Sequence, residues 1–203
     1  MKTKVKQAGN FVRYRIDTLA NSKNDSVVKA TLAHLRRGLG KHPASNPVTW
    51  EATFYNLPEE LHGKGTEPSY GEMAVHNALT LFATHQQGKD LNTHLMHKEG
   101  NSIGKAMGKL VKVKGRDSYE GIKRRFDKIV TADSLDELSN HLRGAVQLLR
   151  SEGIALDYGL LAEQLYRFQF VDNRNTIRLN WGRDFYSTVS DKQTLKRDEE
   201  KKG

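Results

Sequence analysis

Residues 100–110 read GNSIGKAMGKL, with three glycines and two Gly-Lys pairs, the raw material of a phosphate-binding loop. Such a loop needs Gly, four residues and then Gly-Lys-Ser/Thr, so that backbone N–H groups curl around the phosphates and the hydroxyl reaches magnesium. Here Gly100 and Gly104 are separated by three residues, and Ala106 stands where the hydroxyl belongs. The nucleotide reading fails on spacing. His94 and His97, three apart, with His85 or His76 nearby, are metal-ligand types, but no HExxH pattern supplies a third ligand. Asp136 and Glu137 in ADSLDEL are paired carboxylates; following Ser134, they fall in the first turn of a helix, where negative charge faces the macrodipole favourably. GxSxG on a strand-to-helix turn is missing, so no nucleophile elbow is present. These motifs predict neither catalysis nor a bound cofactor or metal.

The remaining chemistry is cationic. The 203 residues carry 33 Lys+Arg against 24 Asp+Glu, a formal charge of +9. That balance suits a polyanionic partner. With no cysteine, a disulfide framework and thiolate metal sites are excluded, and no apolar run is long enough to span a bilayer. MKTKVKQAGN has charge without an apolar stretch, so no leader is predicted and the expectation is a soluble, cytoplasmic protein with no membrane partner.

Helices must position these cations. In 103–112, Ile103, Met107 and Leu110 fall on one face, and Lys105, Lys109 and Lys112 fall nearly opposite, with Asn101 or Ser102 as N-cap. The pattern recurs: Phe11, Val12, Tyr14 and Leu19 open a first helix; Asp25 or Ser26 caps VVKATLAHLRRGLG, ended by Gly38 and Gly40. Ser69 and Glu72 form a capping box before a long helix through Leu81 and Phe82, closed near Gly88. LNTHLMHKE carries Leu91, Leu95 and Met96 at helical spacing. In the second half, Tyr119, Ile122, Phe126 and Ile129 mark one helix, and Ser134 with Glu137 begins another through Leu149, stopped at Gly153. Asp157 caps a further helix, and after the polar turn DNRN a last one runs through IRLNWGRDFY.

The expected fold is therefore all-α: a compact helical protein of two small helical lobes, 1–110 and 111–186, meeting where VKVKGRDS loses the helical pattern. The charged tail 187–203 lacks apolar periodicity and is expected to be disordered. Arg124 lies away from the Ile122/Phe126 face, four residues before Lys128; Arg143 and Arg150 flank the Leu142/Leu149 face. Arg36 and Arg37 close the second helix, and Arg174, Arg178 and Arg183 lie at or near the last. A single flanking cation is ordinarily solvated, but clusters with few compensating acids predict a surface that tracks phosphates. Trp50, Trp181, Phe185 and Tyr186 are the aromatic residues available for base stacking.

Seven segments in order, LRRGLGKHP (35–43), EPSYGEMAVHNALTLFATHQ (67–86), GNSIGKA (100–106), RRFDKIV (124–130), HLRGAVQLLR (141–150), LDYGLLAEQLYRFQ (156–169) and WGRDFY (181–186), carry a resemblance. The chain resembles the small subunit (CasB family) of the type I-E CRISPR surveillance complex, Cascade. The resemblance implies a non-catalytic helical protein, present as two copies head to tail beside the backbone and large subunits. Such a subunit helps hold guide RNA and the target DNA strand and offers a path to the displaced strand. It implies nucleic-acid contacts at Arg36, Arg37, Lys105, Arg124, Arg125, Arg143 and Arg183. Lys109, Lys112, Arg116, Arg174 and Arg178 join them on charge alone. A stand-alone basic helical protein binding DNA or RNA is the alternative.

Overall fold

A computed structural model describes residues 2–190. Among these residues the chain forms nine α-helices: α1 (Lys2–Ala20), α2 (Asp25–Gly38), α3 (Trp50–Phe54), α4 (Tyr70–His85), α5 (Ile103–Lys114), α6 (Tyr119–Thr131), α7 (Leu135–Ser151), α8 (Tyr158–Phe168) and α9 (Val171–Ser190). No strand occurs among the described residues; an isolated bridge joins His97 to Leu156. The all-α expectation holds. No described helix is long and apolar enough to cross a membrane.

Local chemistry sets most helix starts. Ser69 accepts from the Gly71 and Glu72 N–H groups while Glu72 accepts from the Ser69 N–H, completing the capping box of α4. Ser102 caps α5 by accepting from Lys105 N–H, and Asp157 caps α8 by accepting from Leu160 N–H. The cap of α2 is Asn24, which accepts from Val27 N–H, rather than Asp25 or Ser26. At α7, Ser134 accepts from Glu137 N–H, but the Glu137 carboxylate reaches back one residue further, to Asp133 N–H.

Several segments depart from their expected form, among them VKVK, which continues α5 to Lys114. LNTHLMHKE is a series of turns: Gln86 holds it by donating to the Lys89 and His94 carbonyls and accepting from Met96 N–H. DNRN is the opening of α9, not a turn before it. The tail expected from 187 is helical as far as Ser190, and 191–203 lie outside the described residues.

Helix α4 is buried along nearly all its length and packs against α1, α2, α7 and α8. The apolar core runs from Val5 to Phe185 and draws on both sides of position 110, the expected lobe division, which falls within α5. Phe126 of α6 stacks on Phe185 of α9 with ring centroids 4.3 Å apart. Burial of both rings joins α6 to α9.

The glycines of GNSIGKAMGKL belong to this packing. A Cβ at Gly104 would lie 2.2 Å from the Trp181 carbonyl oxygen, and one at Gly108 would lie 2.7 Å from Thr188 Cβ and 3.0 Å from the Phe185 carbonyl oxygen. Glycine lets α5 and α9 touch backbone to backbone, and the Ser102 hydroxyl donates to Asp184 across the same seam.

Candidate nucleic-acid interface

Helices α6 and α7 leave an open groove between them. Gly121, Arg124, Arg125 and Lys128 line it from α6, and Asn140, His141, Gly144 and Ala145 from α7, around a volume of about 460 Å³. Ile122, Phe126 and Ile129 turn the opposite side of α6 into the core, which leaves Arg124, Arg125 and Lys128 exposed. A Cβ at Gly121 or Gly144 would meet no atom within 4 Å. Space, not crowding, surrounds these two glycines. Among the described residues no hydrogen bond or ion pair engages the Arg124, Arg125 or Lys128 side chains, and the His141 ring stands 3.6 Å from the Glu137 carboxylate. Arg124 and Arg125 also line a second depression beside Lys114, Asp117 and Glu120.

Two further groups of cations form elsewhere. Lys105 and Lys109 project from α5, where Lys109 Nζ donates to Asn101 Oδ1 at 2.7 Å and Lys105 Nζ to the Gly100 carbonyl at 3.1 Å. Burial, with the like charges of Lys98 and Lys105, lowers the Lys109 pKa. Lys112 lies half-buried on the same helix. At the C-terminal end of α2, burial lowers the Arg36 pKa, and the charges of Arg150 and Arg37 add to the shift. Arg150 in turn donates to the Thr84 carbonyl near the end of α4 and to Gln87 Oε1.

The other expected contacts scatter. Arg143 is exposed on α7 next to Gly144 but does not line the groove; Arg116 is exposed in the turn between α5 and α6, and Arg183 is exposed on α9. Arg174 and Arg178 have structural partners. Arg174 donates to the Phe168 and Asp133 carbonyls and lies over the Phe168 ring; Arg178 donates to the Ala132 carbonyl and the Asp133 carboxylate. Both guanidinium groups tie α9 to the carbonyls that end α6.

The stacking candidates divide in the same way. Trp181 is buried with its Nε1–H donating to Gln164, and Phe185 is in the core, whereas Trp50 and Tyr186 are 40% and 46% exposed. The histidines have local tasks. His97 Nδ1 accepts from Tyr158 N–H at the start of α8, and His85 shares a 2.8 Å hydrogen bond with the Tyr158 hydroxyl. Burial pushes the His85 pKa down to about 3, with the Arg150 charge adding to the shift, so the ring is neutral. Among the described residues no three His, Asp or Glu side chains stand together as a metal site.

Lys128 and Arg150 sat beside expected residues at helical spacing, so their spacing was the signal that identified them. His141, Asn140 and Lys98 gave no such sign, because what unites each with the cations is tertiary: a facing helix for the first two, a folded-back turn for Lys98.

Among the described residues, helices wrapped around a buried central helix and carrying an arginine-lined groove define a basic all-α protein. The chain belongs to the family of CRISPR-associated protein Cse2, which its residues 31–186 match. CasB from Thermobifida fusca has the same fold, with 32% identity, a TM-score of 0.73 and coverage of 89% of this chain and 98% of that one. CasB from Thermus thermophilus aligns with 22% identity and a TM-score of 0.64, covering 89% and 97%. A chain of a CRISPR RNA-guided surveillance complex shares the fold at 20% identity and a TM-score of 0.64, covering 96% of this chain and 98% of its own. No curated protein matches this chain.

Proposed function

We propose that this chain is a non-catalytic subunit of an RNA-guided CRISPR surveillance complex of type I-E, where its basic helical surface holds the sugar-phosphate backbone of guide RNA and target DNA and receives the displaced strand. The observation that carries the reading is the α6/α7 groove, where Arg124, Arg125 and Lys128 stand without ion-pair partners above a floor opened by two glycines. Solvent-facing cations that no carboxylate neutralises release counterions when phosphates bind, which gives sequence-tolerant and salt-sensitive affinity. Base pairing with the guide supplies sequence choice, so the subunit needs backbone contacts only. Family membership and the shared fold of a surveillance-complex chain support the setting, with backbone and large subunits and a second copy placed head to tail as partners. Lys105, Lys109, Arg36, Arg37 and Arg143 extend the surface beyond the groove; Arg174 and Arg178 act through it by fixing the end of α6.

The test is the triple variant Arg124→Ala/Arg125→Ala/Lys128→Ala, with affinity measured against salt. The isolated native protein should bind unrelated single- and double-stranded sequences with Kd of about 10⁻⁴–10⁻⁶ M, and the variant should flatten the slope of log affinity against log salt by roughly 2–3. R-loop lifetime on the assembled complex should shorten while the melting temperature stays within a few degrees. Tight binding by the isolated chain that assembly does not improve favours a stand-alone nucleic-acid-binding protein. An unchanged salt slope removes the groove from the interface.

A further inference from the structure

We propose that a cavity between α1, α2 and α3 is a socket for one large apolar side chain of a partner polypeptide that presents a carboxylate beside it. The cavity holds about 170 Å³; Leu19, Val28, Leu35, Val48, Ala52 and Leu79 form its apolar side, and Thr18, Ser22 and Thr31 line it as well. About 150 Å³ of apolar cavity is enough to take up a benzene ring, so the space matches one Leu, Met or Phe side chain and is too small for a nucleotide.

The surroundings argue for a polypeptide rather than a free small molecule. Val27 and Val48 line the cavity yet are 53% and 49% exposed, and Trp50 and Tyr55, from the segment that closes one side, are 40% and 63% exposed. Half of the large exposed apolar side chains among the described residues lie on α1, α2 or the α3 segment: these four and Tyr14. An apolar surface that continues outward from the cavity asks for an occupant larger than the cavity itself.

Arg15 specifies the carboxylate. Its Nη2 donates to the Glu51 and Tyr55 carbonyls, and its guanidinium lies over the Phe11 and Tyr55 rings. Its Nε–H is buried and has no acceptor. Among the described residues no ion pair engages this guanidinium, which lines the cavity, so an anionic oxygen of the occupant would complete it. Burial lowers the Arg15 pKa, and the nearby Glu51 charge opposes the shift. His34 lines the same cavity, and Glu51 supplies the acid of the lining. An occupant with both features is a short segment in which Leu, Met or Phe stands within two residues of Asp or Glu.

The partner belongs to the same complex, so this inference rests on the proposed function, and the experiment separates the two. The full chain carrying the photo-crosslinker p-benzoylphenylalanine in place of Val48 is assembled with the other subunits of its own complex and guide RNA, irradiated, and the crosslinked peptide sequenced. The expected product is one peptide of another subunit with an apolar residue next to an acid. Ala52→Phe, which fills the cavity, and Val48→Lys, which charges its exposed rim, should each lower that subunit's retention about tenfold, the effect of losing a central anchor. Neither should alter the salt dependence of nucleic-acid binding, and Val48→Lys covers the case in which Ala52→Phe fails to fold. Crosslinks to nucleic acid, to a second copy of this chain or to no partner, with assembly intact, overturn the socket alone. A native chain that does not assemble at all overturns the subunit reading and the socket's partner with it.

Discussion

Two pairs of helices in this protein use glycine for opposite ends. At the α5/α9 seam, Gly104 and Gly108 stand where any side chain would collide with the backbone or side chains of α9; in the α6/α7 groove, Gly121 and Gly144 stand where a side chain would meet nothing. The first pair explains how the helices approach, and the second leaves room that packing does not require. What separates them is the neighbour. Trp181, Phe185 and Thr188 fill the space at the seam, whereas the groove has arginines, a lysine and solvent.

The largest test concerns the ring that joins the two regions. Phe126→Ala removes the side chain stacked on Phe185 behind the groove and should destabilise the protein by about 3–5 kcal/mol, read by chemical denaturation. A loss below about 1 kcal/mol would mean that α6 is not anchored as described.

Acid should break the closed interior next. The folded state holds His85 neutral with its pKa pushed down to about 3, below its ordinary value of 6.5. The folded form therefore binds fewer protons than the unfolded one between these values. The associated stability is complete above the unfolded pKa and is lost as pH falls toward the folded one, about 3 kcal/mol by pH 4. Denaturation midpoints measured from pH 7 to 4 should fall more steeply for the native protein than for His85→Asn. Equal slopes would place a different group behind acid sensitivity.

Gly104→Ala comes third. The seam cannot yield without moving the α9 backbone, and the cost should be about 1–3 kcal/mol, the range of overpacking, visible as a lowered Tm. The smallest effect should have the opposite sign: Gly144→Ala in the open groove should stabilise the helix by about 0.5–1 kcal/mol. Gly144→Leu should keep the fold and weaken nucleic-acid binding, because it occupies the groove floor. If Gly144→Leu binds as the native protein does, no backbone passes there, and the contrast between the two glycine pairs reduces to packing.

What could be read from the sequence follows the range of each interaction. Ser69 with Glu72, Ser102 and Asp157 were legible as caps because their partners lie within three residues. Phe126 and Ile129 were legible as core through helical spacing. The segment with Leu91, Leu95 and Met96 misled because its spacing imitates a helix while Gln86 pins it into turns. DNRN looked like a turn for its polarity, yet Arg174 within it is held by the Phe168 and Asp133 carbonyls, the latter 41 residues away. The same distance explains the site. Charge and spacing alone do not separate Arg124 from Arg178, and the fold shows that one faces an open groove and the other holds the Ala132 carbonyl and the Asp133 carboxylate after α6.

The close approach of α5 and α9 also reads as a statement about inheritance. At positions 104 and 108 any Cβ collides with α9, so an alignment of relatives that keep this helix crossing should favour glycine there whatever those proteins bind. At 121 and 144 geometry forbids nothing, and drift should fill both positions with ordinary helix-forming residues. A lineage that nonetheless retains small residues at 121 and 144 is recording selection by something lying in the groove, and the contrast in site-by-site variability would measure that selection without a binding experiment.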